Sequence, residues 1–180
     1  MAPHLIMSAS YNALLAILLY ILDKKTVFSK IPYKAKQVII GVLFGLMAIF
    51  ATTTFGGFDI GGGTIMNVRD AAPLCAGLIF GAPAGIIAGL IGGIYRFVSV
   101  YFGLAGTYTQ IACSLSTILA GFIAAILRKF MFDNKKPTWL YGVGIGMVTE
   151  VLHMMMIFFT NMDDAVNAFE FVKICTLPMV

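Results

Sequence analysis

Charged residues are scarce in this chain. They occupy 11% of its 180 positions, whereas a soluble domain carries charge at about a quarter of its positions. Because 60% of the residues are hydrophobic and the mean hydropathy is +0.95, the sequence excludes a soluble globular domain. The length fits one all-α membrane domain over residues 1–180, with about seven spanning segments of about 20 residues each. It leaves no room for a second, soluble catalytic domain.

Residues that build metal sites, disulfides and catalytic motifs are equally few. The three cysteines, an odd number in apolar runs, predict reduced thiols. Phosphate-loop, Gly-x-Ser-x-Gly and His-Glu-x-x-His patterns are lacking, so we predict no catalytic residue and no cofactor. The pair Glu150 and His153 is too small for a metal site, which would need further ligands on facing helices. We therefore predict no metal.

Most of the basic residues cluster in two short loops, so the net charge of +4 indicates membrane orientation rather than nucleic-acid binding. Because basic loops face the cytoplasm, both loops are predicted inside and the N-terminus outside. The first loop contains Lys24, Lys25, Lys30, Lys34 and Lys36, and the second contains Arg128, Lys129, Lys135 and Lys136.

Apolar runs predict the helices between these loops. An N-terminal helix over 5–22 precedes a core bundle over 37–180, in which further runs cover 37–55, 108–127 and 137–160. The acidic stretch that ends at Glu170 is predicted outside, and a last helix is expected to begin around Phe171. This helix has too few residues to span before the sequence stops, so we expect a longer protein whose continuation emerges inside.

Residues 71–97 could form one span by length, but Gly81-Ala82-Pro83 interrupts them. A single helix kinked at Pro83 would put the second basic loop outside, against the charge rule. We therefore predict a hairpin of two short helices, 71–80 and 84–97, with Gly81-Ala82-Pro83 as the turn. Glycines at every fourth position from Gly77 to Gly93 would let its backbones pack closely.

The hairpin is expected to bring Arg69 and Arg96 to the same outer end. Two guanidinium groups at a half-buried site repel each other unless an anion lies between them, and their planar forks suit a carboxylate or phosphate. A small anionic metabolite would supply that charge. In the alternative interpretation each arginine reaches the membrane interface or pairs with Asp59 or Asp70.

Two further groups of polar residues lie within the predicted spans. One face of the 108–127 helix carries polar side chains spaced to line the same pocket, or to form ordinary helix–helix hydrogen bonds: Gln110, Cys113, Ser114 and Thr117. Glu150 and His153 lie near mid-membrane, where a carboxylate is a functional candidate. Glu150 could pair with Arg96, stay protonated or relay a proton, and we expect Glu150 and His153 to form an internal counter-charge rather than a catalytic pair.

Several segments resemble the LytS-YhcK-type multi-spanning sensor domain of bacterial signalling receptors. The more specific ones are Asn67-Val68-Arg69-Asp70 and Gly92-Gly93-Ile94-Tyr95-Arg96, which flank the glycine-rich 76–89 segment. Residues 147–154 are similar to that family's penultimate helix, and 177–180 to the start of its last one. The turn has Ala82-Pro83 where Gly-Pro is more usual in the family.

The resemblance implies a ligand-sensing input domain in the bacterial inner membrane. It further implies a homodimer whose last helix continues into a cytoplasmic histidine kinase, diguanylate cyclase or phosphatase. Some family members sense small carboxylates such as pyruvate, so Arg69 and Arg96 are expected to contact the ligand, together with Asn67 of the same motif.

Two other functions stay open at this point. The chain is also similar to the substrate-binding S-components of energy-coupling-factor vitamin transporters. Their short-helix hairpin with a Gly-Pro turn is similar to the hairpin predicted for this chain. The alternative is therefore a transporter-type binding subunit. A weaker third hypothesis is an intramembrane enzyme that uses Glu150 and His153.

Overall fold

The structure, a computed structural model, describes residues 2–25, 27–53, 58–59 and 65–179. This part of the chain contains seven helices. They are α1 (Ala2–Lys25), α2 (Tyr33–Thr52), α3 (Ala71–Cys75), α4 (Ala82–Ser99), α5 (Gln110–Ile126), α6 (Trp139–Thr160) and α7 (Ala165–Met179). Wider π-helical turns extend α3 through Ala76–Phe80 and α5 through Leu127–Met131, and single 3-10 turns cover Val27–Lys30 and Met162–Asp164.

A very short antiparallel pairing precedes α3. Strand β1 (Phe58–Asp59) pairs with β2 (Ile65–Met66), and Phe58 lies opposite Met66. The rest of the glycine-rich 56–63 loop lies outside the described residues. The chain is thus a helical bundle with one small β-ladder that the sequence did not predict.

Five helical segments are long and apolar enough to cross a membrane, counting only the described residues. They are Leu5–Lys24, Tyr33–Thr52, Ala82–Ser99, Gln110–Met131 and Trp139–Thr160. The apolar segment Ala71–Phe80 is shorter, and the 15 residues of α7 rise only about 22 Å as a helix. A multi-pass helical domain is therefore confirmed, whereas the count of about seven spans stays a prediction.

The predicted hairpin is confirmed, because the helix breaks at Gly81. This residue has φ +150° and ψ 157°, a conformation that only glycine adopts readily. The second arm is longer than expected and begins at Ala82 rather than Ala84. Pro83 then lies in the first turn of α4, where no helical N–H bond is lost. One long helix kinked at Pro83 is thereby ruled out.

A buried glutamine completes the break. The Gln37 amide Nε2 donates to the Phe80 carbonyl oxygen (3.0 Å), and its Oε1 accepts from the Ala84 N–H (3.1 Å). Both arms of the hairpin therefore have a backbone group satisfied at the point where helical bonding stops. Nothing in the sequence pattern singled out Gln37, which lies in the first turns of α2.

Small residues set how closely the hairpin packs. A Cβ on Gly85 would lie 2.6 Å from the Gly77 Cα, and a Cβ on Gly121 of α5 would lie 2.4 Å from the Gly85 carbonyl oxygen. Two turns further along α4, a Cβ on Gly93 would lie 2.7 Å from the Ser114 carbonyl oxygen. Helix α4 is thereby held between the other hairpin arm and α5, in the manner of small-residue membrane interfaces.

The two basic loops meet at one end of the bundle. Lys36 Nζ is 2.5 Å from Asp23 Oδ1, and Lys136 Nζ lies 3.7 Å from the centre of the Tyr20 ring. This proximity agrees with the topology deduced from charge, in which the hairpin starts and finishes at the opposite end. Which end faces the cytoplasm stays a prediction.

The last helix begins earlier than expected. It begins at Ala165 rather than around Phe171, after a 3-10 turn that contains Asp163 and Asp164. The Asn167 amide donates to the Asp164 carboxylate (2.8 Å), and acidic groups are stabilising near a helix N-terminus. The acidic stretch predicted as an external loop is therefore largely the first turns of α7.

Replacing Gly85 with alanine is expected to destabilise the bundle by about 1–3 kcal/mol, because the new methyl group would displace the Gly77 backbone. Gly142→Ala on α6 is the matched control, since a Cβ there meets no atom within 4 Å. Thermal unfolding of the detergent-solubilised proteins measures both changes. Equal melting temperatures for the two variants would contradict the packing described.

Candidate ligand-binding site

Polar side chains from five parts of the chain meet at the end of the bundle where α5 begins. We call this group the buried polar cluster. It consists of Arg69 and Asp70 before α3, Arg96 on α4, Cys113, Ser116 and Thr117 on α5, and Glu150 and His153 on α6, with Thr52 at the end of α2.

Arg69 is held almost entirely by protein groups. Its side chain is 1% exposed. Nε donates to Thr117 Oγ1 (2.6 Å) and Nη2 donates to the Cys113 carbonyl oxygen (3.0 Å). The Asn67 carboxamide oxygen accepts the Arg69 backbone N–H (3.1 Å) and so fixes the turn that leads into α3. Arg69 therefore links the 65–70 segment to α5 through hydrogen bonds.

Asp70 is the counter-ion of Arg69. Its Oδ1 lies 3.7 Å from Arg69 Nε and accepts from the Thr117 hydroxyl (2.6 Å), while Oδ2 accepts from the Ser116 hydroxyl. The pairing of Arg69 with Asp70, which the sequence left open as an alternative, is therefore present. The side chain of Asp59, the other acid considered, lies outside the described residues.

Arg96 has a different environment. Its Nη2 donates to the Gly106 carbonyl oxygen and to Thr109 Oγ1, both at 3.0 Å. Its Nη1 is buried with no hydrogen-bond partner, and the residue is 4% exposed. Within the described part of the chain, no carboxylate lies within 4.0 Å of this guanidinium group. A buried cation without a counter-ion is costly, which distinguishes Arg96 from Arg69.

Glu150 and His153 do not neutralise Arg96, contrary to one sequence expectation. The i, i+3 spacing on α6 turns both side chains toward α5 and the 65–70 segment. His153 Nδ1 lies 3.2 Å from Asp70 Oδ2 and 3.5 Å from Glu150 Oε2, and Nε2 lies 3.3 Å from the Cys113 sulfur. The pair belongs to the Asp70 side of the cluster.

The predicted polar face of α5 divides into two parts. Cys113 and Thr117 contact the cluster, as described above. Gln110 Nε2 instead donates to the Phe97 carbonyl oxygen (3.0 Å), and Ser114 Oγ donates to the Gln110 carbonyl oxygen (2.6 Å). Ser114 also lines an apolar groove of about 310 Å³ between α4 and α5.

Two central residues were missed as site candidates in the sequence. Asp70 was considered only as a partner for an arginine, and Ser116 was not considered. The signal for Ser116 was its spacing, since it follows Cys113 by three positions and so shares its face on α5. The contacts of Asp70 with two helices could not be foreseen, because they depend on how α5 and α6 pack against the 65–70 segment.

Taken together, the fold and the cluster define a multi-pass membrane domain with a buried, charged site. Comparison with known proteins gives its family. The family model described as the 5TMR of 5TMR-LYT, the five-transmembrane receptor of LytS-type proteins, matches residues 19–180. The chain belongs to this family and is a multi-pass protein of the bacterial inner membrane.

Curated relatives are bacterial sensor proteins. The sensor histidine kinase YpdA of Escherichia coli is 31% identical over 150 residues, which cover 81% of this chain and 25% of the kinase. The sensor protein LytS of Staphylococcus saprophyticus is 28% identical over 178 residues, covering 91% of this chain and 29% of that protein. The chain thus spans only about a quarter of their length, and no solved structure matches it significantly.

Asp70→Asn is expected to lower the free energy of unfolding by about 3 kcal/mol, because it leaves the buried Arg69 without a counter-ion. The control is Glu170→Gln, which removes one partner of the exposed Glu170–Lys173 pair (3.8 Å) and should cost less than about 1 kcal/mol. Denaturant unfolding in detergent compares the two. An Asp70→Asn variant as stable as the Glu170→Gln control would show that Arg69 does not depend on Asp70.

Proposed function

We propose that the chain is the ligand-sensing input domain of a LytS-type sensor protein and that it binds a small carboxylate, such as pyruvate, at the buried polar cluster. The observation that carries this proposal is the unpartnered Nη1 of Arg96, on a side chain that is 4% exposed. A small anion accepting from this nitrogen would supply the missing counter-charge and a charge-assisted hydrogen bond.

The other members of the cluster support a ligand of this size and charge. Arg69 and Arg96 both bond to the first turns of α5 or the loop before it, at Cys113 and Thr109 respectively. One carboxylate placed there would interact with both cations. Because the donors of Arg69 are already engaged by protein groups, Arg96 is the principal contact, and Arg69 contributes mainly charge.

The ligand site also adjoins the last helix. Cys113 packs against an apolar cluster that joins α5, α6 and α7 and that includes Met154, Ile157, Phe171, Val172 and Cys175. A ligand that changes the packing around Cys113 would therefore act on the contact surface of α7. To signal, the ligand must bind two arrangements of this contact with different affinity.

The remaining features of the proposal come from the family. The matched part of this chain covers only about a quarter of the length of the relatives, so we place an output domain in the cytoplasm beyond α7. We also place the ligand site at the outer side of the membrane and the functional state in a homodimer. Because the relatives are sensors, they favour this function over a transporter-type subunit.

The test is calorimetric titration of the detergent-purified protein with pyruvate. Wild type should give a saturable isotherm, and Arg96→Gln should bind at least about 30-fold more weakly, since truncating one partner of a buried charged contact costs about 2 kcal/mol or more. The matched control is Arg128→Gln. This arginine is also buried, but its Nε donates to the Asn134 carbonyl oxygen (2.8 Å) at the opposite end of α5.

The Arg128→Gln variant separates affinity from stability, because it removes a buried guanidinium group far from the cluster. It is expected to melt at a lower temperature and to bind pyruvate as wild type does. Equal affinity of wild type and Arg96→Gln would remove Arg96 from the site. An absence of heat with pyruvate and with other small carboxylates would refute carboxylate sensing.

A further inference from the structure

Three potential metal ligands converge within the buried polar cluster. One oxygen each of Asp70 and Glu150 and one ring nitrogen of His153 all lie within 4.8 Å of one another. The three residues come from two separate parts of the chain, since Asp70 precedes α3 whereas Glu150 and His153 lie on α6. From sequence, the Glu150–His153 pair was judged too small for a metal because it lacked a ligand from a facing element, and Asp70 supplies such a ligand.

Two of these ligating atoms have no hydrogen bond. Glu150 Oε2 and His153 Nδ1 are buried without a hydrogen-bond partner, on residues that are 7% and 4% exposed. His153 Nδ1 has carboxylate oxygens at 3.2 Å and 3.5 Å, yet its ring N–H geometry forms a hydrogen bond to neither. Because buried polar atoms almost always form hydrogen bonds, ion-pair contacts of this kind leave both atoms able to bond to a cation that lies between the three side chains.

We propose that Asp70, Glu150 and His153 bind a divalent metal ion of the zinc or manganese class. Four ligands placed about 2.1 Å from a tetrahedral ion are about 3.4 Å from each other, and the two distances from His153 Nδ1 lie on either side of that value. One imidazole with two carboxylates suits such first-row ions. The fourth position is free for water or for a ligand.

The surroundings of the three residues fit this assignment. On the far side of the ring, His153 Nε2 is 3.3 Å from the Cys113 sulfur. A proton on Nε2 leaves the Nδ1 lone pair free for the ion, which is the usual way in which a second contact orients a metal-binding histidine. The Ser116 hydroxyl bonds to Asp70 Oδ2 and holds that carboxylate in place.

The two carboxylates also suit a divalent cation. Together they carry two negative charges, which equal the charge of the ion, and Arg69, at 3.7 Å from Asp70, leaves the metal-bound site with one net positive charge. His153 and Ser116 also line a groove of about 230 Å³ between α5 and α6, whose other lining residues are mostly apolar.

The test uses the untagged protein in detergent after chelator treatment, titrated with Mn²⁺ and followed by electron paramagnetic resonance. Mn²⁺ is chosen because it prefers oxygen ligands, such as the two carboxylates, to thiols, so the three free cysteines do not compete. We expect one saturable site per chain. A parallel calorimetric titration with Zn²⁺ should give the same stoichiometry.

Glu150→Gln and His153→Gln should each weaken Mn²⁺ binding by at least about 100-fold, because even outer contacts of a metal site account for 10–100-fold. The matched controls are Glu170→Gln, an exposed carboxylate on α7, and His4→Gln, the other histidine of the sequence. Both should bind as wild type does. Elution profile and melting temperature confirm that each variant is folded.

Failure of wild type to bind Mn²⁺ or Zn²⁺ saturably would overturn the proposal, and this outcome needs no variant. Binding that survives both Glu150→Gln and His153→Gln unchanged would also overturn it, because the ion would then lie elsewhere. The proposal does not rest on pyruvate sensing. A protein that binds the metal at these residues but binds no carboxylate still supports the metal site.

Discussion

The Asp70 carboxylate is the contact on which the arrangement of this end of the bundle depends. It sits 1% exposed and interacts with the guanidinium group beside it, with the Ser116 and Thr117 hydroxyls of α5, and with His153 of α6. In a membrane interior a single unpaired charge would be very costly. Arg69, α5 and α6 must therefore hold fixed positions around the Asp70 carboxylate. Losing the contact with any one of them would leave a buried charged or polar group without its partner.

Such a charged cluster can form only because the helices beneath it approach closely. The glycines of the hairpin let α4 pack against α5 at backbone contact, as the 2.4 Å approach of a Cβ on Gly121 to the Gly85 carbonyl oxygen indicates. Gln37 satisfies the backbone groups freed at the hairpin break. Close packing of the apolar helices therefore brings the side chains of the buried polar cluster within bonding distance of one another.

Much of this architecture was predictable from sequence, and the reasons are physical. The break at Gly81 followed from Pro83 together with the distribution of basic loops, and the convergence of Arg69 and Arg96 followed from the hairpin. The partners of these arginines did not follow. Membrane helices are apolar on most faces, so periodicity says little about which side of α5 or α6 faces inward, and the role of Asp70 depended on that rotation.

In the function proposed above, the two arginines of one cluster have different roles, a structural charge and a sensing charge. Arg69 has an acid beside it and bonds to Thr117 and Cys113, so its energy changes little when an anion arrives. Arg96 has an unpartnered nitrogen and gains most from an anion. Because a ligand shifts an equilibrium only through differential affinity, we expect Arg96 rather than Arg69 to convert anion binding into a structural change.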